Sequence, residues 1–143
     1  MSIMEDWKCT MVSDRASGST EYIVKTEDGW ITKGVDGHTV RPLWTDPVTQ
    51  FSVALVRFKK GSGVPGAHKH ASNQFMYCIQ GRYEYASTGV TLEPGSFYHN
   101  PKDSVHGPTI AHEDCLLIEI YDGPAYYERP AYYDAERPVG ANE

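Results

Sequence analysis

Short extended segments separated by glycine-containing turns dominate this chain. The turn pairs recur along most of its length: Asp28-Gly29, Asp36-Gly37, Lys60-Gly61, Pro65-Gly66, Thr88-Gly89, Pro94-Gly95 and Asp122-Gly123. The segments between them show no sustained helical period, and short strands at this spacing are typical of sandwiches and barrels. A chain of 143 residues has room for one domain with a real core. The sequence therefore predicts a single all-β domain, with the apolar residues 51–58 and 115–121 as central strands.

Three regions can be separated along the chain. We predict an N-terminal arm over residues 1–20, which are polar and Ser-rich, and a β-barrel over residues 21–124. Residues 125–143 form a Tyr- and Pro-rich tail, which we expect either to lie along its own subunit or to cover the barrel mouth or a partner subunit. Because a barrel of this size exposes edge strands that dimerisation can cover, we also expect a homodimer.

Charge and cysteine content narrow the partners and the compartment. The net charge of -6 argues against nucleic acid, which requires a basic footprint. The first residues lack the positive start and apolar run of a secretory signal, and no apolar stretch approaches the length of a membrane span. Three widely spaced cysteines, Cys9, Cys78 and Cys115, are expected to be reduced. We therefore predict a cytoplasmic protein with neither nucleic acid nor membrane as partner.

Three histidines and a glutamine suggest a metal site. In an extended segment His68 and His70 point the same way, and Gln74 keeps that parity if residues 71–73 form a bulge or tight bend. His106 comes from a distant segment, which is how a barrel closes a metal site. We predict that these four residues are the metal ligands. His99 lies near His106 and is retained as a candidate pocket-lining residue.

The segments around these residues resemble the two conserved motifs of the cupin superfamily. The residues on motif positions are His68, His70, Gly81, Gly95, Pro101 and His106. The departures are Gln74 for the usual Glu, Asp103 for a Gly, Ile110 for the final Asn, and a first Gly at either Gly61 or Gly63. The resemblance covers residues 61–106 and implies a single-domain cupin jelly-roll β-barrel, also called a double-stranded β-helix.

Gln74 bears directly on the chemistry of the implied metal. A Glu ligand would cancel one unit of charge, whereas three neutral imidazoles and an amide oxygen cancel none. Such a centre attracts carboxylates, enolates or diketonates, so we expect a small anionic or enolisable substrate. We expect one divalent transition metal per subunit, with Fe(II) favoured and Zn, Mn, Ni or Cu as alternatives. The other interpretation is that Gln74 only hydrogen-bonds the histidines, which leaves a three-His site.

The spacing from His68 to Gly81 resembles that of one functional subgroup. The run of His68, His70, Gln74, Tyr77 and Gly81 resembles the corresponding run in small cupins of pectin degradation, which open unsaturated uronates. In that subgroup three His and one Gln hold the metal. The resemblance implies a redox-silent isomerase, lyase or cyclase acting on a sugar-acid or polyketide-like carbonyl compound.

Flanking residues point to a different subgroup. Residues 43–44, 106–107 and 121–124 resemble acetylacetone-cleaving dioxygenases and the cupin domain of anti-sigma factors. The first resemblance implies a non-haem Fe(II) dioxygenase that uses O₂ to cleave a small β-dicarbonyl or hydroxyketone, and we favour it because uncharged ligands favour an enolate. The second implies a non-catalytic metal-binding sensor, the third function considered.

Strand parity supplies the remaining candidate residues. Met76 and Cys78 share the face of Gln74 and are expected to line the pocket. In the later apolar strand Glu119 and Tyr121 share one face, and we expect the opposite, aliphatic face to point into the core. That orientation makes Glu119 a solvated residue, but it is retained as the candidate catalytic acid or base. The aliphatic residues are Leu116, Ile118 and Ile120.

Overall fold

The computed structural model describes residues 21–130 and 136–139, and these residues form strands and loops without a helix. The strands are β1 (Ile31–Thr32), β2 (His38–Thr45), β3 (Ser52–Phe58), β4 (Gln74–Gln80), β5 (Tyr83–Tyr85), β6 (Val90–Leu92), β7 (Phe97–Asn100), β8 (Thr109–Ala111), β9 (Cys115–Tyr121) and β10 (Arg137–Pro138). The all-β prediction is confirmed. The predicted N-terminal arm, residues 1–20, lies outside the described residues.

Two antiparallel sheets face each other across one core. The larger has the order β10-β1-β2-β3-β9-β4-β7 and the smaller the order β6-β5-β8. Val56 and Leu117 of the larger sheet pack with Tyr85 and Leu92 of the smaller one in the core, each with at most 2% of its surface exposed. This is the predicted jelly-roll arrangement, in which the inward side chains of both sheets fill the barrel.

Part of the tail lies on its own chain. β10 pairs with β1, with Ile31 opposite Pro138. Just before β10, the buried Glu136 forms ion pairs with Lys33 and with Arg129. The described residues 136–139 therefore extend the larger sheet at its β1 edge.

The orientation predicted for β9 is wrong. Cys115, Leu117 and Tyr121 are buried, whereas the aliphatic residues between them are only partly buried. β9 lies between β3 and β4, and Glu119 stands opposite Ala54 on one side and Met76 on the other. Met76 is 2% exposed and points inward, so Glu119 points inward with it. Both faces of β9 are apolar in sequence, so period-two alternation could not identify the inner face.

Gly81 allows the chain to turn tightly between β4 and β5. Its φ is +93°, and a Cβ there would lie 2.4 Å from the carbonyl oxygen of Asp114 and 2.7 Å from the Cα of Cys115. Both neighbours are backbone atoms at the start of β9 and cannot move aside. The motif glycine is therefore required twice, for its positive φ and for the close approach of two chain segments.

We predict that Gly81→Ala lowers the free energy of unfolding by roughly 3 kcal/mol, because positive-φ strain and a backbone clash add together. Gly89→Ala is the matched control, since Gly89 has a φ of +73° but nothing within 4 Å of an added Cβ. That variant should lose only about 1 kcal/mol. Urea unfolding measures both, and equal losses would contradict the role given to the close approach.

Candidate metal centre

Three imidazoles converge at one end of the barrel. His68 and His106 form an isolated antiparallel bridge, in which the backbone N–H of each donates to the carbonyl of the other at 2.8 and 2.9 Å. His70 is 1% exposed and lies beside them. One candidate ligand atom from each of the three falls within 4.8 Å of the others, the single such cluster found in residues 21–130 and 136–139. We predicted a strand through His68 and His70. The structure has no strand there, but only the isolated bridge between His68 and His106.

Each of the three imidazoles forms a hydrogen bond through its Nδ1 atom. The partners are the carbonyl oxygen of Gly66 for His68 at 2.9 Å, the carbonyl oxygen of Ala125 for His70 at 3.0 Å, and the hydroxyl of Tyr98 for His106 at 2.8 Å. A carbonyl can only accept, so His68 and His70 carry their proton on Nδ1 and present a lone pair on Nε2. Such hydrogen bonds fix the tautomer and ring orientation of metal-ligating histidines.

The electrostatics of the cluster favour neutral imidazoles. Burial, together with the neighbouring His68, lowers the pKa of His70 to about 4. Burial and the same neighbour lower the pKa of His106 to about 3. The Nε2 atoms of His70 and His106 lie 3.0 Å apart. Two nitrogens each about 2.1 Å from one ion, at a right angle, would be about 3.0 Å apart, so the spacing fits a shared metal.

Gln74 presents an unpartnered oxygen. Its amide nitrogen donates to Oε2 of Glu119 at 2.9 Å and to the hydroxyl oxygen of Tyr121 at 3.1 Å. The opposite amide orientation would set the amide oxygen against a carboxylate, so these contacts identify Oε1. Oε1 is buried and has no hydrogen-bond partner among the described residues. A buried carbonyl oxygen without a partner is costly unless a ligand satisfies it, and a divalent ion would do so.

Glu119 lies inside the barrel and is not the solvated residue that the sequence favoured. It lines the same cavity as His68, His70 and Gln74. Tyr121 also donates to its Oε2, at 3.2 Å, so this carboxylate oxygen is held by two side chains. Burial raises the pKa of Glu119, against the opposing effects of the hydrogen bonds from Gln74 and Tyr121 and of the charge of Lys33. A carboxylate so placed can accept a proton inside the cavity.

The three residues predicted to line the pocket have different positions. Met76 lines the cavity, and its sulfur accepts a hydrogen bond from the hydroxyl of Tyr85. Cys78 is fully buried in the core cluster and is not among the residues that line the cavity. His99 is exposed on the outer face of the sheet, where it stacks on Phe75 with ring centroids 4.7 Å apart.

Sequence reasoning missed the aromatic residues around the cluster. Tyr85 stacks on His106 with centroids 4.6 Å apart, and Tyr98 stacks on Tyr85 at 4.7 Å. Tyr126, from the start of the tail, packs against His70 at 4.8 Å. Tyr98 stands opposite Met76 in the β4–β7 register, so strand pairing could have placed it on the inner face once that register was known.

Comparison with known proteins identifies the family. The family model described as the ChrR cupin-like domain matches residues 19–125, and the chain belongs to this family of cupins. The superfamily resemblance of the two motifs is thereby confirmed. A search of curated proteins finds no match. No helix within the described residues is long and apolar enough to cross a membrane.

Solved structures share the fold at low identity. The acetylacetone dioxygenase of Acinetobacter johnsonii has a TM-score of 0.63 and 18% identity, over 87% of this chain and 89% of that one. KdgF of a Halomonas species has a TM-score of 0.61 and 24% identity, over 76% of this chain and 97% of that one. A cupin-like protein of unknown function from Ralstonia eutropha JMP134 has a TM-score of 0.53 and 25% identity, over 61% of this chain and only 60% of that one.

We predict that Tyr98→Phe lowers the affinity of the site for Zn²⁺ by about 10- to 100-fold, because His106 loses the hydroxyl that orients it. Competition with a chromophoric chelator measures the affinity. Tyr77→Phe is the matched control, since Tyr77 lies on the same sheet but is 45% exposed on its outer face. Equal affinities of the two variants would show that the Tyr98 hydroxyl does not support the site.

Proposed function

We propose that this chain is a metal-dependent enzyme, a non-haem Fe(II) dioxygenase that cleaves a small β-dicarbonyl or hydroxyketone. The observation that carries the proposal is the cluster of His68, His70 and His106, together with the buried and unpartnered Oε1 of Gln74, which lines the same cavity as His68 and His70. We take that Oε1 as the fourth ligand, so that all four donors are uncharged. Zn, Mn, Ni and Cu suit the same donors, so the choice of Fe(II) rests on the proposed reaction with O₂.

The uncharged donors matter because they leave the double charge of the ion unreduced. A β-dicarbonyl becomes a bidentate oxygen anion when it loses its central proton, and that anion gains most where the ligands carry no negative charge. When bound, the metal would supply Lewis acidity towards the enolate and a redox centre for its reaction with O₂. The proposed substrate is therefore small, and anionic or enolisable.

Glu119 is the residue we propose as proton acceptor. Its Oε2 is held by Gln74 and Tyr121, which fixes the orientation of a carboxylate that lines the cavity. Burial raises its pKa, which makes it a stronger base than an exposed carboxylate. In this role it removes the central proton of the dicarbonyl, and the same hydrogen bonds hold the amide of Gln74 in place.

Aromatic side chains restrict access of water to the donors. Tyr126 packs against His68 and His70 with ring centroids 6.3 and 4.8 Å apart, respectively. Tyr121 packs against His70 from the barrel side, with centroids 5.0 Å apart. A partly enclosed site protects a reactive carbanion equivalent from stray protonation and strengthens its attraction to the metal.

A second candidate is a redox-silent lyase, isomerase or cyclase acting on a carbonyl compound. The observation that favours it is the hydrogen-bonded group of Glu119, Tyr121 and Gln74 inside the cavity. A carboxylate and a phenol at one site can remove and return a proton without any change of oxidation state. In this function the metal would only polarise the carbonyl.

We predict that protein reconstituted anaerobically with Fe(II) consumes O₂ when given acetylacetone, with one carboxylic acid formed for each O₂ consumed. Oxygen-electrode traces and acid quantification measure the ratio across a panel of β-diketones and hydroxyketones. Glu119→Gln should reduce kcat by about 100-fold or more, the usual scale of a general base, while Fe(II) content remains that of the wild type.

Two outcomes would contradict the dioxygenase. Fe(II)-loaded protein that binds the diketones but consumes no O₂ above background would exclude the dioxygenase and leave the redox-silent enzyme and the metal-binding sensor. Turnover of a carbonyl substrate by Zn-loaded protein without O₂ would support the redox-silent candidate instead. His99→Asn is the control variant, because His99 lies outside the cavity, and its activity should match that of the wild type.

A further inference from the structure

The larger sheet is apolar on its outer side as well as on its inner side. In β3, β9, β4 and β7 alternate side chains fill the barrel, so the side chains between them point outward. One outward row crosses all four strands in register and consists of Leu55, Ile118, Tyr77 and Phe97. We refer to the outward side chains of these four strands as the outer face. Phe97 is 68% exposed and Tyr77 is 45% exposed, so no described segment covers this row.

The exposed apolar residues of the outer face are contiguous. Phe75 lies beside this row, and its ring stacks on that of Phe97 with centroids 6.3 Å apart. Ile79, two residues after Tyr77 in β4, is 42% exposed. Single apolar residues scattered over a surface are ordinary, whereas a continuous apolar patch marks a site of interaction.

Charged residues are missing from the outer face but not from the other sheet. The outward positions of the described strands β3, β9, β4 and β7 hold no Asp, Glu or Lys, and their one arginine, Arg57, lies over the ring of Trp30 at 4.0 Å. In the smaller sheet the outward Glu84 stands opposite Thr91 on one side and Ile110 on the other. A sheet with one solvated side alternates apolar and polar residues, and only the smaller sheet does so.

The size of the outer face suits a dimer interface. At about 200 Å² for an aromatic side chain, Phe97, Tyr77 and Ile79 alone expose roughly 300 Å². The half-buried apolar residues between them, Ile118 among them, add to this area. Each partner in a standard interface buries about 800 Å², of which roughly 500 Å² is apolar, so the outer face supplies most of the apolar share.

A second copy of the chain fits this face better than a charged partner does. In a twofold dimer the same surface lies on both sides of the interface, so any charged patch would meet its own charge. The chain has a net charge of -6, but the outer face carries none of its acidic residues. Two copies can therefore meet here without bringing acidic side chains together.

We propose that two copies of this chain associate through the outer face, related by a twofold axis. The sequence predicted a homodimer that covers edge strands, and this proposal gives the dimer a sheet face instead. Gln74 and Glu119 point to the inner side of the same strands, so the interface is separate from the metal centre. The proposal does not depend on the reaction catalysed.

Sedimentation velocity of the full chain, from about 1 to about 100 µM, tests the proposal. The wild type should sediment with the mass of two chains. Phe97→Lys should weaken association by at least about 100-fold, because each copy would bury an unpaired charge in the interface. Phe97 is 68% exposed in the single chain, so the variant should keep its fold, which far-UV circular dichroism checks.

Ile79→Lys and Ile110→Lys form a matched pair. The two isoleucines are 42% and 38% exposed, but only Ile79 lies on the outer face, since Ile110 points outward from the smaller sheet. Ile79→Lys should weaken association, and Ile110→Lys should leave it unchanged. A monomeric wild type at the highest concentration, or equal effects of the two variants, would overturn the proposal.

Hydroxyl-radical footprinting shows which surface is covered. Tyr77 should be oxidised more slowly in the wild type than in Phe97→Lys, whereas Tyr127, 61% exposed and away from these strands, should react equally in both. A dimer in which Tyr77 reacts equally in both proteins would place the interface elsewhere and overturn the proposal. A monomer in which Tyr77 is protected would show that another segment of the same chain covers the face, and this would overturn it too.

Discussion

The site depends on the hydrogen bonds that the three histidines make through Nδ1. His68 donates to a carbonyl in the turn before it, His70 donates to a carbonyl at the start of the tail after β9, and His106 is paired with the hydroxyl of Tyr98 in β7. Each acts from outside the cluster, so the three Nε2 atoms must face one another. Because burial keeps the rings neutral, the close approach costs little repulsion and leaves lone pairs for an ion. The jelly-roll brings these distant segments to one end of the barrel.

Gln74 links this constraint to the rest of the cavity. Its amide nitrogen is held by Glu119 and Tyr121, and its amide oxygen is left without a partner. A glutamate at this position would place a second carboxylate beside Glu119, and the two charges would repel each other. The neutral amide therefore has two effects. It leaves the charge of the proposed metal unreduced, and it allows the buried carboxylate of Glu119 to remain beside it.

Glycine turns are local signals and were sufficient for the all-β class, whereas His106 was placed with His68 and His70 through the resemblance of two separate motifs to the cupins. The prediction of which face of β9 points inward was wrong, because both faces carry apolar residues. For the same reason the position of Glu119 in the cavity was not predicted. Tyr98 was missed because its role depends on the register between β4 and β7, which are separated in sequence. Cys78 has the parity of Met76, yet it lies deeper in the core. Parity identifies the inner face but not the depth at which a cavity ends.

We propose that four uncharged donors hold one ion, and anomalous diffraction from crystals of the Zn-loaded protein would locate that ion. A single strong peak is expected about 2.1 Å from Nε2 of His68, His70 and His106, with Oε1 of Gln74 at a similar distance. A peak bound by the three histidines with the amide of Gln74 turned away, or by Glu119 in its place, would contradict the uncharged donor set and the enolate chemistry derived from it.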